Sequence, residues 1–211
     1  MKVGFIGLGK LGRDAAEVLA EKHDVVGYDP NVTVPGLSGT QEEACKGKDV
    51  VLIAVQTPHD PLYDGKDPTS HLPPKDFDYS FIIEATKQVD ALVDKGTLIS
   101  VISTMLPGTV RKEIQPLVQN GQFIYNPYLI AQGTVKWDMR NPEMIMIGTE
   151  DGEESLAVDM LHDLYDPILE KENVRYELGT WEEIEALKVF YNTFISTKLA
   201  LVNMIQDTAI K

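Results

Sequence analysis

Residues Lys2-Val3-Gly4-Phe5-Ile6-Gly7-Leu8-Gly9-Lys10-Leu11-Gly12 run an apolar strand into a G-x-G-x-x-G turn. Alone, that glycine spacing is a weak signal. Here a helical stretch follows to about Lys22, and then a second strand, Asp24-Val25-Val26-Gly27-Tyr28-Asp29, ends on a carboxylate 17 residues after Gly12. Strand, turn, helix, strand and acid in this order read as a dinucleotide-binding unit. Gly7 makes the tight turn, Gly9 lets the backbone approach a pyrophosphate, and Gly12 lets helix and strand pack closely. With Lys10 and Leu11, the start of the helix presents free N–H groups and the positive end of its dipole to the phosphates. Asp29 is placed to accept hydrogen bonds from the adenosine ribose hydroxyls. The bland alternative is a glycine-rich turn with no ligand.

Asp29 also bears on the choice of cofactor. A 2′-phosphate needs a nearby cation, yet Pro30, Asn31, Val32 and Thr33 supply none, and a carboxylate repels it. NAD is therefore expected rather than NADP. A formal net charge of −14 argues against a nucleic-acid partner, which needs a basic face to release counterions. An anionic substrate has to be held by locally placed cations. The one cysteine, Cys45, excludes an intramolecular disulfide and fits a reducing compartment. No signal peptide precedes the first strand, and no apolar run approaches the ~20 residues of a membrane span. The cytoplasm is the expected location. The histidines and acids lack zinc-like spacing, so no metal is expected.

Strand-like runs are expected at 2–7, 24–29, 49–55, 97–102, 122–126, 143–148 and 173–177. Helices are expected near 10–22, 41–46, 78–95, 108–119 and 152–170. The runs Val51–Val55 and Leu98–Ile102 are nearly continuous apolar stretches, as in parallel strands covered on both faces. The alternation predicts an α/β fold: a doubly wound parallel sheet of Rossmann type over 1–179, with a ligand crevice at the strands' C-terminal ends. Residues 59–76 are proline-rich and polar, and follow the third strand on the ligand side. A loop of that length is functional or disordered, and a lid is one reading of it. His59, at its start, is the one histidine placed to be an acid–base group.

Residues 180–211 predict one long helix of about 50 Å. Thr180 can cap it, Glu182 and Glu183 lie in its first turn, and no Gly or Pro interrupts it. Its apolar stripe of Ile184, Leu187, Tyr191, Phe194, Ile195, Val202 and Ile205 is wide enough for more than one neighbour. Such a helix needs a partner, which predicts a homodimer through 180–211 or a further domain.

Three more segments carry a resemblance. Val55-Gln56-Thr57-Pro58 ends the third strand, and Ser103-Thr104-Met105-Leu106-Pro107-Gly108-Thr109 ends the fourth. Asn126-Pro127-Tyr128-Leu129-Ile130-Ala131-Gln132-Gly133 ends the fifth, followed by Asp138, Asn141, Pro142, Glu143 and Ile147-Gly148. With the glycine turn, the series resembles the UDP-glucose/GDP-mannose 6-dehydrogenase family over essentially the whole chain. The resemblance implies an N-terminal Rossmann domain, a long central dimerisation helix, and oxidation of a nucleotide-sugar 6-hydroxyl with two NAD. It implies cofactor contacts from Val55, Thr57 and Pro58, the last two bordering the nicotinamide. Thr104 would lie at the cofactor or a catalytic water, although that segment also suits a strand end and a helix start.

Lys188 and Asn192 match the family's catalytic lysine and the asparagine four residues on. The residues agree with that: i and i+4 share a helix face, and Lys188 falls inside the apolar stripe, where a lysine is costly unless it serves a ligand or carboxylate. Beside a substrate hydroxyl it could stabilise an alkoxide or act as a base. Asn192 could orient substrate or water. The competing reading is a snorkelling lysine paired with Glu185.

The departures narrow the chemistry. Tyr128 and Gln132 stand where the family carries acids, and a tyrosine cannot replace a carboxylate base at neutral pH. Cys45 does not match the family's nucleophilic cysteine, without which no thiohemiacetal forms. Three readings stay open: a fragment or shortened relative of a nucleotide-sugar dehydrogenase, a single-step alcohol dehydrogenase of the β-hydroxyacid type, and a non-catalytic NAD-binding or assembly module.

Overall fold

A computed structural model describes residues 1–210; Lys211, the last residue of the expected terminal helix, lies outside the described residues. All seven expected strands form: β1 (Lys2–Ile6), β2 (Asp24–Tyr28), β3 (Val50–Ile53), β4 (Leu98–Val101), β5 (Gln122–Tyr125), β6 (Met144–Thr149) and β7 (Arg175–Thr180). They make one sheet in the order β2-β1-β3-β4-β5-β6-β7. Strands β1 to β5 are parallel.

The expected doubly wound sheet is present, and its pairing is mostly parallel. β6 meets β5 antiparallel at the Tyr125–Gly148 pair, and β7 runs parallel to β6. The connection between β5 and β6 holds one short helix, α4 (Val135–Arg140), absent from the sequence reading. This helix is tied to α1 (Gly12–Leu19) by the Lys136–Glu17 ion pair and to the turn after α1 by Arg140–Glu21. It does not cross back over the sheet, so β6 starts at the edge where β5 ends.

Helices cover both faces. On one, α1, α4 and α5 (Leu156–Tyr165) bury Ala15, Leu19, Met139, Val158 and Leu161. On the other, α2 (Gln41–Cys45), α3 (Ser80–Leu92) and the start of α6 (Trp181–Ala209) bury Cys45, Ile82, Val89, Trp181 and Ile184. The helix expected over 108–119 is instead a π turn, Val110–Ile114, running into a 3-10 turn, Gln115–Leu117. Pro116 has no N–H to donate back to Lys112, so an α-helical ladder cannot pass it.

α6 begins with a reciprocal cap: the Thr180 hydroxyl accepts from Glu183 N, and the Glu183 carboxylate accepts from Thr180 N at 2.8 Å. Because β7 runs opposite to β5, the helix that turns back from its end travels in the direction of β5. The Trp181 ring meets Phe123 edge-on at 5.8 Å, Ile184 and Tyr125 both pack against Gly148, and Lys188 arrives beside Tyr128. The reversal of β6 and β7 is therefore what carries a lysine of α6 to the C-terminal edge of the parallel strands. From Asn192 to Ile210 the helix stands clear of the body, every residue exposed.

Candidate functional site

The chain leaves β1 towards β2 on one side and β3 towards β4 on the other. The crevice between the ends of β1 and β3 is therefore the topological switch point, where open α/β sheets bind ligands. Gly7 sits there at φ +99°, and a Cβ on it would stand 2.6 Å from the Ala54 carbonyl oxygen. A Cβ on Gly12 would lie 2.0 Å from the Gly7 carbonyl, so this glycine is needed for packing within the turn itself. Gly9 differs: nothing lies within 4 Å of the Cβ it lacks. The space above Gly9 is open, and no side chain caps α1. An uncapped helix start beneath open space fits a pyrophosphate. The Lys10 and Leu11 side chains are exposed, so these residues bear on the turn through their backbone.

Asp29 has a role that the sequence does not disclose. One carboxylate oxygen accepts from Leu8 N at 2.9 Å, and the other from Asn31 N at 2.8 Å and Val32 N at 3.1 Å. It fixes the glycine turn to the end of β2. A carboxylate offers about four acceptor positions, so room remains for a ribose hydroxyl.

The ends of β3 and β4 are joined by side chains. The Ser103 hydroxyl donates to the Val55 carbonyl, and the Thr57 hydroxyl donates to the Thr104 carbonyl at 2.9 Å. Pro58 accepts from Asp78 N at 2.8 Å, closing the neck of the 59–76 loop. Within that loop Lys75 pairs with Asp60, and the Tyr63 hydroxyl donates to the Pro73 carbonyl. His59 is exposed.

Lys188 is 7% exposed, and its ammonium donates to the Tyr128 carbonyl at 2.6 Å. Burial alone lowers its pKa to about 8. The pairing with Glu185 does not occur. Glu185 is fully buried, and its two oxygens accept from Gly108 N at 2.6 Å and Val110 N at 2.7 Å, which caps the π turn. Burial raises the Glu185 pKa despite those bonds. Among the described residues, Lys188 has no carboxylate partner. Asn192, one turn further on, is exposed, at the start of the part of α6 in which every residue is exposed.

Tyr128 packs edge-on against Tyr165 of α5 with ring centres 6.1 Å apart, and their hydroxyls lie 2.9 Å from each other. The Tyr165 hydroxyl donates to Asn126 Oδ1, and Asn126 Nδ2 donates to the Met146 carbonyl at 2.6 Å. Burial holds both phenols well above their ordinary pKa, so Tyr128 is no base at neutral pH. Gln132 is exposed. Cys45 is buried beneath the sheet and its thiol is pushed up to about 11, which leaves it inert as a nucleophile. Sequence reasoning missed Tyr165 altogether, since a tyrosine at an apolar helical spacing reads as core; Asn126 was visible only as part of a motif.

Two outcomes follow from this geometry. Gly9→Ala keeps the stability of the free protein within about 0.5 kcal/mol, because nothing meets the new methyl, but weakens NAD binding about tenfold or more. Gly12→Ala lowers stability by about 3 kcal/mol even without ligand, and urea denaturation with and without NAD separates the two. Lys188 gives the second. Its folded pKa lies below its unfolded one, so the cost of burying its charge is present in full below pH 8 and is relieved as pH rises from about 8 towards 10.5. Wild type should gain about 2 kcal/mol on Lys188→Met between pH 7 and 10, and parallel pH–stability curves for the two proteins would contradict the burial argument.

Comparison with known proteins agrees with this architecture. The family model for the UDP-glucose/GDP-mannose dehydrogenase family, NAD binding domain, matches residues 31–169, starting just after the glycine turn and Asp29. An uncharacterized protein of Methanocaldococcus jannaschii is 25% identical over 96% of this chain and 25% of its own length. The UDP-glucose 6-dehydrogenase of Rickettsia typhi is 27% identical over 75% of this chain and 34% of its own. The chain thus spans about a quarter to a third of these relatives. In fold it is similar to the GDP-mannose dehydrogenase of Pseudomonas aeruginosa, with a TM-score of 0.77 at 22% identity over 96% of this chain and 52% of that one. The chain belongs to the UDP-glucose/GDP-mannose dehydrogenase family and carries its NAD-binding domain.

Proposed function

We propose that this chain supplies the NAD-binding part of a dehydrogenase that oxidises a hydroxyl of a nucleotide sugar, or of a related alcohol, by hydride transfer. The observation that carries the proposal is Lys188. A buried amine without a carboxylate partner among the described residues is held at the C-terminal end of β5, on the sheet edge that also bears the glycine turn. Burying a charge in this way is unfavourable for the fold, which supports a role for it in the site.

Bound at the glycine turn, NAD would supply the hydride acceptor. The chain's own residues do the rest. Gly7, Gly9, Lys10, Leu11 and Gly12 would hold the pyrophosphate through their backbone, and Asp29 would take the adenosine ribose. Val55, Thr57, Pro58 and Thr104, at the ends of β3 and β4 that the Thr57–Thr104 bond joins, would border the nicotinamide end of the cofactor. With a pKa near 8, Lys188 is in part neutral at physiological pH and accepts the hydroxyl proton as hydride leaves. Asn192 would orient the substrate only after the exposed turn of α6 is covered by another surface. The 59–76 loop, tied at its neck, is placed as a lid.

The acid-forming second oxidation is not assigned to these residues. Cys45 is buried with a raised pKa, and Tyr128 is a protonated phenol where the resemblance expects an acid. For these residues alone, both features favour one reversible hydride transfer, which is also the chemistry of the β-hydroxyacid type. We assign residues 1–179 to the NAD-binding domain and 180–211 to a dimerisation helix that covers Phe190, Phe194 and Leu199 against a second copy. Among the described residues no helix is long and apolar enough to cross a membrane, and we place the protein in the cytoplasm, without a nucleic-acid partner.

Counting NADH formed per nucleotide sugar consumed, with UDP-glucose and related sugars, tests the proposal. One NADH per substrate is expected, with Lys188→Ala slower by roughly 10²–10⁴-fold. Two NADH per substrate, or full turnover by Lys188→Ala, would contradict it; NAD binding without turnover on any alcohol would leave an NAD-binding assembly module.

A further inference from the structure

We infer that Tyr165 is a positioning residue for Lys188, acting through Tyr128: its hydroxyl fixes the Tyr128 side chain, and with it the backbone carbonyl that holds the Lys188 ammonium. The inference deepens the catalytic reading of Lys188 and rests on it only for the purpose the positioning serves.

Tyr128 is gripped from two sides. Its carbonyl accepts from Lys188 of α6 at 2.6 Å, while its hydroxyl bonds Tyr165 of α5 at 2.9 Å. The two helices lie on opposite faces of the sheet, so this one residue links them around the end of β5. The proton count sets the direction of the bonds. A phenol has one proton; Tyr165 gives its proton to Asn126 Oδ1, so it accepts from Tyr128. Asn126 in turn donates to the Met146 carbonyl of β6, which anchors the chain of bonds in the sheet. The Tyr128 ring also packs against the core on the α5 side, and the bond to Tyr165 is the polar tie that orients it there. The pair lines a half-open cleft with Leu129, Ile130 and Asp138, so a ring released from Tyr165 has solvent to turn into. Loss of that tie releases the segment around Tyr128 from α5, so that its backbone carbonyl can shift away from the Lys188 ammonium and water can reach the amine.

Other charges do not compete for this role. Glu185 is engaged with Gly108 and Val110, Tyr191 is bonded to Glu143, and the phenols of Tyr125, Tyr128 and Tyr165 stay protonated through the neutral range. Burial lowers the Lys188 pKa, and the carbonyl that its ammonium bonds belongs to the residue that Tyr165 holds.

The test is NMR titration of the full chain labelled with [ε-¹³C]lysine, the Lys188 signal being assigned from Lys188→Ala. Wild type should titrate near 8. Tyr165→Phe and Tyr128→Phe should each raise that value by about half a unit or more, as water replaces the lost packing. Because both remove the same hydrogen bond, the double variant should shift no further than either single one. An unchanged Lys188 titration in both folded single variants, or shifts that add in the double, would overturn the inference. Should Tyr165→Phe not fold, Tyr128→Phe breaks the same bond and decides alone. Absence of turnover in wild type would remove the catalytic reading and leave this result standing, since the amine is read without substrate.

Discussion

The hydrogen bond from the buried Lys188 ammonium to the Tyr128 carbonyl is the contact on which the site depends. It exists because of a topological detail. Had β6 and β7 continued the parallel order, α6 would run against β5 and its lysine would finish at the far edge of the sheet. Their reversal sends α6 along β5, from Phe123 past Tyr125 to Tyr128, and two turns of helix bring Lys188 to the edge that holds the glycine turn. Glu185, one turn earlier, satisfies the N–H groups of the π turn and so cannot neutralise the lysine. The fold thus keeps two buried ionisable groups three residues apart and gives each a backbone partner instead of the other.

Cofactor cradle and lysine share a logic of residues that do two jobs. Asp29 clamps Leu8 of the glycine turn to the end of β2, so the turn is formed without a ligand. The Thr57–Thr104 and Ser103–Val55 bonds set the spacing of the strand ends in the same manner. Of the three motif glycines, two are required by the protein's own backbone, and only Gly9 faces open space. That division separates the part of the motif that builds the turn from the part that admits a ligand.

Much of this was legible in the sequence. Period and composition placed all seven strands, because apolar runs bounded by turn residues have few other uses, and the capping pattern Thr180–Glu183 placed the start of α6. Direction was harder to read: nothing in Met144–Thr149 distinguishes a parallel from an antiparallel neighbour, and α4 is too short to show a helical period. The π turn follows from Pro116, whose effect on a helix end is local and was outweighed in the pattern by the residues around it. Lys188 stood out as a charge inside an apolar stripe. Its partners did not, since Glu185 at three residues' distance suggests an ion pair until the Gly108 and Val110 N–H groups are seen. Tyr165 was invisible, because a phenol in a core stripe carries no sign of what its hydroxyl meets 37 residues away.

The central claim is that the fold maintains a buried, unpaired amine at the cofactor edge so that it can take a proton. The pH dependence of kcat/KM for NADH formation tests it most directly. The rate should rise with pH through a limb near 8, and that limb should be missing from the residual activity of Lys188→Met. A profile flat from pH 7 to 9, or a limb that survives in the variant, would contradict it.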